Sequence, residues 1–103
     1  MIAQTILQQM GGHRFAITTG SKDFIGLGNG LLMSLSRNKT SANRLEIIYD
    51  EGLDLYNMRF YRKTFSKKTF ESKTKDIAKF EGIYFDMLEE IFTEVTGLNT
   101  RLF

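Results

Sequence analysis

Residues 59–80 hold Arg59, Arg62, Lys63, Lys67, Lys68, Lys73, Lys75 and Lys79 against only Glu71 and Asp76, with Phe60, Tyr61, Phe65, Phe70 and Phe80 between them. Cations at this density release counterions from phosphates, and rings exposed beside them stack on unpaired bases. The chemistry on offer is therefore nucleic-acid binding, to a single strand or a duplex. The candidate contacts are Arg59, Arg62, Lys63, Lys67, Lys68, Lys73 and Lys75, with Tyr61 or Phe65 stacking. In the plainer alternative Phe60 and Phe80 are core and the lysines line a solvated sheet edge, where they oppose unwanted strand pairing. That alternative weighs more, because lysine-rich edges are common and the whole chain carries a net charge of only +2. The RNP signature and a GXXG loop flanked by helices are both missing from the sequence, and zinc modules need cysteines that it lacks.

Other chemistry is weaker. Gly26, Gly28 and Gly30 form G-x-G-x-G, but no GK[ST] follows and the next residues are strand-like, so a flexible turn is expected rather than a phosphate cradle. His13 is the only histidine and has no nucleophile elbow or ligand spacing around it. Glu89 and Glu90, or Asp50, Glu51 and Asp54, would need to converge to act as acid and base, and adjacent helical residues diverge by about 100°. No catalytic or metal-ligating residue is assigned, no cofactor is implied, and the chain is expected not to be an enzyme. Asp86, Glu89, Glu90 and Glu94 form an acidic face that could meet a basic protein partner, although such faces usually serve as solubilising surface.

With 103 residues, 42% of them apolar, the chain is sized for a single domain over residues 1–103 with a core of its own. The lack of cysteine removes disulfides, thiolate metal sites and a cysteine nucleophile. No apolar run approaches the roughly 18 residues of a membrane helix, so no membrane role and a cytoplasmic location are expected. Without proline, turns must come from glycine, asparagine, aspartate and serine. Charge is uneven, with 13 Lys and Arg against 7 Asp and Glu over residues 1–80 but one Arg against five acids over residues 81–103. Opposite poles of this kind orient a molecule toward a charged partner.

Ile2, Ile6, Leu7 and Met10 predict a short N-terminal helix ending at Gly11 and Gly12. Alternation of Phe15 and Ile17 with Arg14, Ala16 and Thr18 predicts a first strand over 14–19, followed by a long turn over 20–30 holding Phe24 inward. Further strands are expected over 31–37, 45–50 and 55–63, the last with Tyr56, Met58 and Phe60 inward and Arg59 and Tyr61 outward. A turn over 64–68 leads to a fifth strand over 69–79, suited to an edge. Tyr84, Phe85, Leu88, Ile91, Phe92 and Val95 predict an amphipathic helix over 83–96, capped by Gly97. The fold class is α+β, an antiparallel sheet of four to five strands with the N-terminal helix and the C-terminal amphipathic helix packed on it. Leu98, Leu102 and Phe103 form an apolar tail that would dock on the chain's own sheet or on a second copy in a homo-oligomer.

Two runs carry a resemblance: Gly11, Gly12, Arg14, Phe15, Thr19, Gly20, Ser21, Lys22, Asp23 and Phe24; and Glu81, Gly82, Ile83, Tyr84, Asp86, Met87, Leu88, Ile91, Phe92, Thr96, Gly97, Leu98, Thr100 and Leu102. Together they resemble a family of roughly 100-residue uncharacterised proteins of bacteriophages and other mobile elements. The resemblance implies a phage or plasmid context and supplies no activity and no functional residues. The middle of the chain, 38–79, is longer and richer in lysine than that pattern. On these grounds the first-ranked expectation is a non-enzymatic accessory protein acting through contacts with a protein partner, and the second is a nucleic-acid-binding module using residues 59–79.

Overall fold

A computed structural model describes residues 2–98 and Thr100. The chain forms α1 (Ile2–Met10), α2 (Gly12–Thr19), β1 (Lys22–Leu27), β2 (Gly30–Ser34), β3 (Arg44–Asp50), β4 (Leu55–Ser66), β5 (Glu71–Ile83), a 3-10 turn (Phe85–Met87) and α3 (Leu88–Thr96). Each strand pairs antiparallel with the next, giving a five-stranded meander in chain order. The helices pack on one face of it, an α+β fold.

Alternation in the strands decides which face that is. Met33 stands opposite Leu45, which stands opposite Phe60, and Leu31, Ile47 and Met58 form the next such row. All six are buried, together with Ile6 and Met10 of α1, Phe15 of α2 and Leu88, Ile91 and Phe92 of α3. Phe92 is the hub, edge-on to Phe15 with ring centres 4.9 Å apart and tilted against Phe60 at 6.3 Å. Contacts of this geometry add to the burial of each ring. At Gly30 a Cβ would fall on the Ile47 carbonyl oxygen, so only glycine lets β2 approach β3 there.

Three expectations are corrected. Residues 14–19 are helical, not a strand. Gly11 and Gly12 sit at φ 120° and 62° and swing the chain into α2, where Phe15 and Thr19, one helical turn apart, are buried while Ile17 is 66% exposed. The Thr19 hydroxyl donates to the Phe15 carbonyl at 2.7 Å, which occupies a polar group that would otherwise be unpaired in the core. Next, the stretch expected to be one long turn over 20–30 contains β1, an edge strand paired with β2 around a two-residue turn at Gly28 and Asn29. Phe24 does pack on the core as expected. Finally, the C-terminal helix begins later than Ile83. β5 runs on to Ile83, Tyr84 stays extended, and α3 starts at Leu88, so Tyr84 and Phe85 are exposed instead of lining the buried stripe. Gly97 closes α3 in the left-handed conformation and Leu98 packs on the core, whereas Leu102 and Phe103 lie outside the described residues.

Candidate nucleic-acid interface

β4 and β5 have 12 and 13 residues, whereas β3 has 7. The β3–β4 ladder ends at Arg44 opposite Tyr61, but β4 and β5 continue pairing from Arg62 opposite Lys75 to Ser66 opposite Glu71. Five residue pairs therefore project past the rest of the sheet as a two-stranded arm, about 17 Å long at the usual strand rise. Within 62–76 every residue is exposed except half-buried Ser66.

The root of the arm is fixed by the loop before β3. Asn38 shapes that loop, accepting from the Thr40 N–H at 2.9 Å and donating to the Ala42 carbonyl at 3.1 Å. Asn43 then acts as one more step of β3: its side-chain amide donates to the Lys63 carbonyl at 2.9 Å and its oxygen accepts the Lys63 N–H at 2.8 Å. One guanidinium nitrogen of Arg62 donates to the Ser41 carbonyl at 3.0 Å. Beyond Lys63, β4 has only β5 beside it.

Register also sorts the arm's side chains. Continuing the alternation from buried Phe60, Arg62, Thr64 and Ser66 lie on the core side of the ribbon with their partners Lys75, Lys73 and Glu71, and Lys63 and Phe65 lie on the other side with Thr74 and Ser72. Arg62 directly opposite Lys75 is a like-charge pair, an arrangement that destabilises a ladder unless an anion is shared. Residues 62–75 carry six cations and one carboxylate, Glu71. Among the described residues none of those six cations forms an ion pair. At the tip, the turn 67–70 is closed by the Phe70 N–H on the Ser66 carbonyl at 2.8 Å. Phe70 is 80% exposed and Phe65 58%, so two rings stand in solvent among the lysines.

Not every expected residue joins this site. Arg59 is held by Asp76 at 2.6 Å and lies over the Tyr61 ring, 4.2 Å from its centre. Tyr61 lies on the sheet face away from the helices, as expected, but it is only 7% exposed under the Arg59 guanidinium, which corrects the expectation that its ring is available for stacking. Burial raises the Tyr61 phenol above its ordinary pKa, with Glu46 adding to the effect and Arg59 and Arg44 opposing it. Arg59 and Tyr61 thus brace the root of the arm, whereas Arg62, Lys63, Phe65, Lys67, Lys68, Lys73 and Lys75 are brought together along it. Phe70 belongs with them; the sequence shows it among the rings of the basic region but does not make it a candidate contact. The available signal was its place in Lys-Lys-Thr-Phe-Glu, a turn in which a ring has no inward position to fill.

Of the acidic residues, Glu89, Glu90 and Glu94 line one open cavity with Thr93 and Thr100, and Asp86 stands apart from it. Asp86 is in the 3-10 turn, at the end of β5 remote from the arm's tip, while Glu89 and Glu90 occupy the first turn of α3, where the helix dipole favours acids. Glu89 accepts a hydrogen bond from the Thr100 hydroxyl at 2.7 Å, and Glu94 is exposed one turn after Glu90. Comparison with protein-family models, curated proteins and solved structures gives no match to this chain.

Proposed function

We propose that the chain is a non-catalytic nucleic-acid-binding domain whose β4–β5 arm holds the sugar–phosphate backbone. What carries this is that the arm leaves the sheet with six cations and two solvent-exposed phenylalanines, none of them engaged in packing the core. A lysine-rich edge that only protected the sheet would sit where the sheet ends, and β5 would not need to run five pairs past β3 to do so. A two-stranded ribbon is also narrow enough to enter a nucleic-acid groove or lie along a strand. The protein-contact role ranked first from sequence keeps one observation in its favour, the exposed run of Tyr84, Phe85 and Met87 beside Asp86. It ranks second here because that surface has no charge pattern that selects a partner.

The test is fluorescence anisotropy of a labelled oligonucleotide at about 50 mM salt, where phosphate contacts are strongest. Lys73→Glu combined with Lys75→Glu, both on the exposed arm, should weaken binding by at least about tenfold, while Glu90→Gln with Glu94→Gln should not weaken it. Unchanged affinity in the arm variant would remove the arm from any binding role.

A further inference from the structure

Given the arm as a nucleic-acid contact, we infer that its ligand is single-stranded and that Phe70 and Phe65 hold unpaired bases by stacking. Phe70 is placed in solvent by its backbone. At φ 56° it adopts the left-handed conformation that glycine or asparagine would take at the end of such a turn, and a bulky side chain is disfavoured there. The ring gains nothing from its own protein in exchange, since it is 80% exposed. A ring in this position does gain by lying on the face of a base.

The choice of a single strand over a duplex follows from where base faces are available. In a duplex every internal base face is already stacked, and a ring enters only by prising a step apart. In a single strand the faces are free, and the backbone is supple enough to follow Arg62, Lys73 and Lys75 on one side of the ribbon while bases turn over the tip onto Phe70 and around the edge onto Phe65. Lys67 and Lys68, within the same turn as Phe70, and Lys63, on the same side as Phe65, supply phosphate contacts next to each ring. Every base has a face to offer, so little sequence preference is expected.

The measurement is anisotropy at about 50 mM salt with oligothymidylate of about 12 nucleotides and with a duplex of the same length. The probes are bound by the full chain, by Phe70→Gly and by Phe65→Ala. Glycine suits the turn, so Phe70→Gly should melt no lower than the native chain. The native chain should bind the single strand at least about tenfold more tightly than the duplex, and Phe70→Gly should lose roughly 5- to 100-fold on the single strand with little change on the duplex. Phe65→Ala should lose affinity in the same selective way. Equal affinity for the two probes, or a Phe70→Gly chain that either keeps its single-strand affinity or loses both alike, would overturn the stacking role and leave the charged arm in place. Binding to neither probe would overturn the arm itself, and the stacking role with it.

Discussion

Phe70 and Tyr49 show how far single residues shape the two ends of this sheet. A non-glycine residue in the left-handed region costs about 1–2 kcal/mol, and replacing Phe70 with glycine relieves that strain but adds about 0.5–1 kcal/mol of unfolded-chain entropy to overcome. The relief is the same size as the entropy cost or larger, which makes Phe70→Gly a substitution that removes the ring without removing the turn. At the opposite end, the Tyr49 hydroxyl donates to Asp54 at 2.6 Å. That bond, with smaller contributions from burial and the Asp54 charge, pushes the Tyr49 pKa from 10.0 up to about 12. The folded state therefore holds the phenolic proton more tightly than the unfolded chain does, so the associated stability is fully present below pH 10 and is lost as pH rises toward 12. Following the Tyr49 ring carbon by NMR should show ionisation near 12, and Asp54→Asn, which suits the left-handed backbone at that position, should lower it. A native Tyr49 that titrates at its ordinary value would mean the bond is not formed in solution.

At the scale of elements, the residues that alternate or recur at helical spacing and also face the core were readable in advance. α1, the central strands and most of α3 fall where Ile6, Met10, Leu45, Ile47, Met58, Phe60, Leu88 and Phe92 indicate. The failures have physical causes. In 14–19 a period of two and a helical i, i+4 pair of Phe15 and Thr19 fit the same six residues, and only packing on Phe92 separates them. β1 interrupts Phe24 and Ile25 with Lys22, Asp23 and Gly26, three residues poor at forming strands, and its register on β2 is irregular between Lys22 and Ile25, so it reads as a turn until β2 offers it a ladder. The arm was only half legible: its lysines and rings are plain in the sequence, but its projection depends on β3 ending early, a difference in strand length that no local pattern encodes. Because α3 is held by core packing and the arm is not, the two can be perturbed separately. Leu88→Ala, at a position with no exposed surface, should cost about 2–5 kcal/mol in chemical denaturation. The arm variants should leave the denaturation midpoint nearly unchanged, and an arm variant that unfolds the domain would show that the ribbon supports the core.

For the molecule as a whole, a net charge of +2 hides a separation of charge. The arm holds most of the excess positive charge at one end of β5, and Asp86 stands beyond its other end, in a body whose longest dimension is 42 Å. An anion approaching this field is drawn toward the arm, so orientation precedes contact. The quantity that reports phosphate contacts most directly is the salt dependence of binding. Six arm cations on a single strand give a slope of log K against log salt near −4, a loss of roughly 300-fold between about 50 and 200 mM salt. Replacing Lys67, Lys68, Lys73 and Lys75 with alanine should flatten the slope to about −1.4, for the two contacts that remain. Measured for the native chain and that variant on the same oligonucleotide, a steep slope that collapses with the arm's lysines is the predicted result. A native slope near zero, or a steep slope that survives their removal, would contradict binding through the arm.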